Sequence, residues 1–365
     1  MSRDYAFSAA SPVGRAIQRR SRMLAVLTAG IASCALALIV APTSRAEPQT
    51  KIRMVLNWKY EGPQGMFFLA ADRGYFGAAG LDVSFDQGNG SGAAVPLVAN
   101  GSYDIAFGDI NALVTLAAKK PDEAPVAVAM LYNEPPFVIV VKADSPVHAP
   151  KDLEGKTIGA PANDGALKLF PAFCKIAQMD CPAVKMSNMQ PNLREPMLMQ
   201  GQIDGAFGYI NTIRFAAKNM GIDPDTRLRF IRYSDYGMNL YSNCIIVSRK
   251  LIKEHPEAVR GFLTALFKGI NDSIRDPDAA VQAVAKREPL IKVPLEKEKL
   301  LATMGREMSD PEIGSIGLGA VDTKRLEKAI GILVDAEQLP FTPKAGQIFD
   351  ASFLPPLADR PKSMR

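Results

Sequence analysis

Histidine is almost missing from this 365-residue chain, with His148 and His255 the only two. Metal clusters and histidine-based catalytic triads both lean on imidazole, so neither has much to build on, and no metal site is expected. Nucleotide signatures are lacking too. The run Gly88-Asn-Gly-Ser-Gly92 has neither the Lys-Ser/Thr ending of a phosphate loop nor the G-x-G-x-x-G spacing of a dinucleotide site. No cofactor is expected. Net charge is also scarce once the ends are treated separately. The chain carries +5, but residues 1–46 hold six arginines against Asp4 alone, so the remainder is balanced. No overall field draws it to nucleic acid.

The first 46 residues differ from the rest. Arg15, Arg19, Arg20 and Arg22 run into the uncharged stretch Met23 to Val40, which ends in Ala41-Pro-Thr-Ser-Arg-Ala46. This is the pattern of a secretory signal peptide, with cleavage after Ala46 and a mature chain opening at Glu47. A retained anchor helix is the rival reading, since 18 apolar residues just span a bilayer. A second rival is a lipid anchor on Cys34, because Ile31-Ala-Ser-Cys34 resembles a lipoprotein cleavage box. Arg22 occupies the place where a twin-arginine signal wants an apolar residue, so the Sec route is the expected one.

Past the leader, 319 residues suffice for two lobes. Short apolar β-rich runs alternate with longer helical ones, the signature of a parallel α/β architecture. Strands are expected at Ile52–Trp58, Leu81–Gln87, Ile105–Gly108, Val126–Leu131 and Phe137–Lys142. After the turn Ser145-Pro-Val-His-Ala-Pro150 the cycle restarts, with strands at Thr157–Ala160, Met186–Met189, Gly205–Tyr209, Leu228–Tyr233 and Asn243–Ser248. Helices are expected over Met66–Phe76, ended by Gly77, and over Gly165–Gln178. The layout is then signal peptide 1–46, first lobe 47–141, second lobe 142–242, and a return to the first lobe with C-terminal helices over 243–365. Phe137–Lys142 and Asn243–Ser248 are the runs suited to crossing between lobes.

An internal repeat supports two lobes of like topology. Gly101-Ser-Tyr-Asp-Ile-Ala-Phe-Gly-Asp-Ile-Asn111 recurs 100 residues later as Gly201-Gln-Ile-Asp-Gly-Ala-Phe-Gly-Tyr-Ile-Asn211. Gly101 and Gly201 suit the residue after a helix, where positive φ is needed, and Asp104 and Asp204 suit the turn into a strand. Of the cysteines beyond the leader, Cys174 and Cys181 are close enough to pair, and Cys244 lies in an apolar run; three free thiols is the alternative.

In open α/β sheets ligands bind beyond the carboxyl ends of strands, where helix N-termini expose N–H groups. The candidates are therefore Asn57, Trp58, Asn89, Ser91, Asp109 and Asn111 from the first lobe, with Asn163, Asp164, Gly165, Tyr209, Asn211 and Tyr236 from the second. Trp58, the sole tryptophan, is placed to stack on a ring-shaped ligand, with burial in the core as the bland alternative.

Several stretches together resemble a known superfamily: Leu56-Asn57-Trp58, Phe68-Leu-Ala-Ala-Asp-Arg-Gly74-Tyr75-Phe76, Gly80-Leu-Asp-Val83 and Asp152-Leu-Glu-Gly155-Lys-Thr-Ile-Gly159-Ala. They are similar to substrate-binding proteins of taurine, nitrate and thiamine-pyrimidine importers, the NMT1-like group. The resemblance implies a type II periplasmic binding fold of two α/β lobes joined by a two-strand hinge, with the ligand in the interlobe cleft. It implies a periplasmic monomer that delivers a small solute to an ABC permease and its ATPase, without catalysis. Asn57-Trp58 is most like the members that stack a thiamine pyrimidine precursor on this tryptophan. Gln64 stands where those members are expected to have a histidine, which makes it a further candidate contact. An alkanesulfonate or nitrate held near Ser91 and Gly165, with help from Arg194 or Arg214, is the alternative ligand class. A pyrimidine-processing enzyme using Asp109 or Asp164 is the alternative from another class, although the consecutive cysteines of the eukaryotic synthases do not occur.

Overall fold

A computed structural model describes residues 49–365; the expected signal peptide and Cys34 lie outside them. Among the described residues, ten strands form two five-stranded sheets. The first has the order β2-β1-β3-β10-β4, built from β1 (Thr50–Val55), β2 (Leu81–Asp86), β3 (Ile105–Asp109), β4 (Val126–Met130) and β10 (Asn243–Val247). The second has the order β7-β6-β8-β5-β9, from β5 (Phe137–Lys142), β6 (Thr157–Ala160), β7 (Lys185–Asn188), β8 (Gly205–Tyr209) and β9 (Leu228–Arg232). Read in chain order, both sheets have the same plan. Each also takes its fourth strand from a segment that has just crossed from the other lobe.

Those two strands differ from the purely parallel expectation. β10 runs antiparallel to β3 and β4, and β5 antiparallel to β8 and β9, so both sheets are mixed. Because β5 belongs to the second sheet, the chain changes lobe between Met130 and Phe137. That is earlier than the boundary expected after residue 141, since strand and crossing look alike in an all-apolar run. The crossing segments pair with one another: Leu131 and Tyr132 each donate a backbone N–H to the Asn243 carbonyl, at 3.1 and 2.9 Å. Ser242 donates back to the Tyr132 carbonyl at 3.0 Å.

Strand periodicity explains the packing. In β5, Phe137, Ile139 and Val141 join the large core, while Val138 and Val140 face a smaller cluster with Leu198, Ile210 and Ile213 on the other face of the sheet. The repeat has a matching role in both lobes. Gly101 and Gly201 have φ of 78° and 72°, which only glycine adopts without strain. Asp104 accepts the Arg53 N–H of β1 and Asp204 the Thr157 N–H of β6, each at 2.8 Å, so each aspartate clamps the neighbouring strand.

Two helices are shorter than periodicity suggests. The Met66–Phe76 run divides into Gly65–Asp72 and Tyr75–Ala78 at Gly74 (φ 71°), and Gly77 lies inside the second piece. Gly165–Gln178 divides into Gly165–Lys168 and Phe170–Ala177 at Leu169, ahead of Pro171. Cys174 and Cys181 form a disulfide with Cα atoms 5.6 Å apart, and Cys244 is a buried free thiol.

Candidate ligand cleft

Where the first-lobe strands end, the chain folds back on itself. The loop after β2 lies along the end of β1, with Gly88 N–H donating to the Trp58 carbonyl at 3.0 Å and Gly90 N–H to the Asn57 carbonyl at 3.1 Å. A side chain at Gly88 would collide with the Leu56 carbonyl, so close approach requires glycine there. Opposite stands the Pro161-Ala-Asn-Asp-Gly165 loop of the second lobe. A side chain at Gly90 would strike the Asn163 carbonyl, so the two loops meet backbone to backbone.

The cleft between the lobes holds a small cavity of about 20 Å³ lined by Asn57, Trp58, Gly90, Ser91, Asp164, Gly165, Arg194, Tyr209 and Thr212. Six of the thirteen expected site residues therefore line one space: Asn57, Trp58, Ser91, Asp164, Gly165 and Tyr209. Trp58 is only 9% exposed, so it is both buried and cavity-lining. Gln64 stands one step behind, its Nε2 donating to Asn57 Oδ1 at 2.9 Å and so orienting that amide.

Tyr209 ties the lobes together. From the end of β8 its hydroxyl lies 2.6 Å from Ser91 Oγ, 3.1 Å from Asp109 Oδ2, 3.1 Å from Ser242 Oγ and 3.0 Å from Asn243 Oδ1. Asp109 is held in turn by Asn111, whose backbone N and Nδ2 both donate to Oδ1 at 2.7 Å. Burial pushes the Asp109 carboxyl up to about 6 against those hydrogen bonds, and burial raises Tyr209 well above its ordinary value. Asn211 points elsewhere, donating to Thr303 Oγ1 at 3.1 Å. Asn89 and Asn163 line a separate surface hollow with Met189 and Leu193. Tyr236 does not line the cleft; its ring meets Phe173 edge-on at 5.7 Å.

Arg194 is the residue that strand-end reasoning left out of the main set. It is 2% exposed on the second-lobe wall and held by two carboxylates. Nε and Nη2 donate to Glu195 Oε1 at 2.9 and 2.7 Å, and Nη1 reaches Asp164 Oδ2 at 3.4 Å and the Phe207 carbonyl at 3.3 Å. Asp164 also caps the following turn, accepting from Ala166 and Leu167; burial raises its carboxyl although Arg194 opposes the shift. A polar Arg-Glu pair between the apolar Leu193 and Met197 was the available signal, and Thr212 gave none beyond lying three residues after Tyr209. Among the described residues no group of acidic, histidine or cysteine side chains is arranged to hold a metal ion.

With this geometry in place, the relationships are informative. A model of the family described as NMT1/THI5 like matches residues 64–280. The chain belongs to the NMT1/THI5-like family. Curated relatives of this NMT1/THI5-like chain include the riboflavin-binding protein RibY of Chloroflexus aurantiacus, 25% identical over 66% of this chain and 67% of that protein. The formylaminopyrimidine-binding protein of Halalkalibacterium halodurans is 25% identical over 71% and 78%. The 4-amino-5-hydroxymethyl-2-methylpyrimidine phosphate synthase of Schizosaccharomyces pombe is 24% identical over 62% and 66%. Among solved structures, the alkanesulfonate-binding protein SsuA of Xanthomonas axonopodis pv. citri bound to MOPS has a TM-score of 0.63 at 15% identity, covering 82% of this chain and 98% of that one. The fold of this family member is thus the two-lobed α/β fold of periplasmic solute-binding proteins.

Proposed function

We propose that this protein binds a small, flat heteroaromatic solute in the cleft between its lobes and presents it to an ABC permease and its ATPase without transforming it. The observation that carries this reading is the composition of the cavity, in which the single tryptophan of the chain, beside the Asn57 amide, faces hydroxyl and charged groups contributed by the other lobe. Such a mixture of one aromatic plate and a few converging polar groups is what orients a small polar ring. In this closed arrangement the cavity, about 20 Å³, has room for little more than one water molecule, so a ring enters only as the lobes part. The names of the formylaminopyrimidine- and riboflavin-binding relatives both describe flat heteroaromatic solutes.

The rest of the proposal follows from the chain as a whole. Export through a signal peptide cleaved after Ala46 places the protein in the periplasm as a monomer, free of nucleic acid. Two of the relatives' names describe binding and a larger number describe synthesis; the binding reading is preferred because the carboxylates of Asp109 and Asp164 are already engaged by Asn111, Tyr209, Arg194 and a helix cap. An anionic solute such as an alkanesulfonate or nitrate is disfavoured because Asp164 and Glu195 already surround Arg194, the cation in the cavity wall.

A thermal-shift screen of the purified protein against pyrimidines, other heteroaromatics, alkanesulfonates and nitrate tests the proposal, since a ligand of the native state raises the melting temperature. The expected result is a heteroaromatic hit that Trp58→Ala abolishes. A sulfonate or nitrate hit insensitive to Trp58→Ala refutes the ligand class and leaves the fold intact. Chemical conversion of a bound pyrimidine by the purified protein refutes the assignment as a non-catalytic binder.

A further inference from the structure

Arg194 lines the cleft with most of its donors already engaged. Guanidinium N–H groups donate in the plane of the group, and here most of that rim is taken up by Glu195, Asp164 and the Phe207 carbonyl. Arg194 Cζ lies over the Trp58 ring, 5.8 Å from its centre. Gly208 makes this placement possible: a Cβ there would stand 2.6 Å from Arg194 Nη1. Trp58 follows β1 in one lobe and Arg194 precedes β8 in the other, so the spacing between the two plates is set by how far the lobes part.

We propose that Arg194 is the specificity-determining residue of the cleft, and that the solute ring is clasped between the Trp58 indole on one face and the Arg194 guanidinium on the other. This rests on the reading of the cleft as a ring-binding site. A ring in van der Waals contact on both faces needs its plates about 7 Å apart, roughly 3.5 Å a side. With Arg194 Cζ now 5.8 Å from the indole centre, the lobes must part before a ring can enter. A cationic plate attracts the π-face of a ring in proportion to its electron density, so the solute class narrows to electron-rich heteroaromatics such as amino-substituted pyrimidines. Because two carboxylates already occupy the guanidinium rim, an anionic group gains little by approaching end-on.

Trp58 is the sole tryptophan of the chain, so its fluorescence reports directly on the ring that covers it. Titrations with 4-aminopyrimidine, 4-cyanopyrimidine, methanesulfonate and nitrate distinguish the possibilities. The amino ring is expected to quench Trp58 and bind about three- to thirtyfold tighter than the cyano ring, and Arg194→Lys, which keeps the charge and loses the plane, is expected to erase that preference. Equal affinity for the two rings, or an undiminished preference in Arg194→Lys, overturns the clasp while ring binding itself stands. Absence of ring binding overturns the ring-binding reading and the clasp with it. Binding of methanesulfonate or nitrate that Arg194→Lys abolishes, with no response to either ring, shows the rim at work and overturns both. Should Arg194→Lys fail to give a cooperative melting curve, the wild-type comparison of the two rings decides alone.

Discussion

A carboxyl group buried without partners makes stability depend on pH, and Glu307 is such a group. It is 1% exposed, and neither carboxylate oxygen has a hydrogen-bond partner among the described residues. Burial raises it to about 8, against its own nearby backbone N–H and the opposing charges of Arg306 and Arg232, and with a smaller contribution from Glu134. Its folded value lies above the unfolded one. Between roughly pH 4.5 and 8 the native state holds a proton that the unfolded state has released, so Glu307 costs stability as pH rises, by at most about 1.4 kcal/mol per unit. Asp109, raised to about 6, adds a slope of the same sign between about 4 and 6. Glu307→Gln is therefore expected to flatten the fall in stability between pH 5 and 8 and to stabilise the protein most at the alkaline end. Urea denaturation of both proteins at four pH values checks it; parallel curves would mean that the carboxyl is hydrated and ordinary.

At the scale of elements, the helix Phe170–Ala177 is held to the following turn by the Cys174–Cys181 disulfide. Closing a loop this short removes modest entropy from the unfolded chain, so Cys174→Ser with Cys181→Ser is expected to cost about 2–3 kcal/mol, read from urea midpoints with and without reductant. No difference between oxidised and reduced wild type would contradict the bond. Strands were the most legible elements, because apolar runs bounded by glycine, aspartate and proline mark their limits. The strand pairing directions were hidden: β5 and β10 are apolar throughout, and a strand buried on both faces reads the same whichever way its neighbours run. Helix breaks at Gly74 and Leu169 were hidden by continuous apolar spacing. The strand-end rule found Trp58, Ser91, Asp164 and Tyr209, and it also put forward Tyr236, which follows β9 but packs on Phe173. It passed over Arg194, whose burial depends on Asp164, Phe207 and the space at Gly208, none of which is near it in sequence.

Across the whole molecule, the C-terminal segment spans the cleft on two sides. The helix Val293–Gly305 packs on Ile210–Asn219 of the second lobe and on the Gly62–Gln64 turn of the first, with Lys218 paired to Glu298 and Asn211 to Thr303. The helix Thr323–Glu337 packs on Ile110–Lys119 of the first lobe and Phe170–Ala177 of the second, where Lys175 donates to the Asp335 carbonyl at 2.7 Å. Two bridges of this kind favour a limited opening, of the order a single inserted ring requires, over wide separation of the lobes. Between them the Tyr209 hydroxyl is the central interlobe contact, and its bonds to Ser91 and Asp109 exist only while the lobes touch. Each such bond is worth about 0.5–1.5 kcal/mol net, enough to shift an open–closed equilibrium several-fold. Tyr209→Phe is therefore expected to enlarge the radius of gyration of the unliganded protein in small-angle X-ray scattering and to weaken binding of the ring ligand by the same several-fold factor, because less of the population is ready to close on it. At saturating ligand the two proteins should scatter alike. An unliganded Tyr209→Phe protein indistinguishable from wild type would show that the helical bridges, and not the hydroxyl, hold the lobes together.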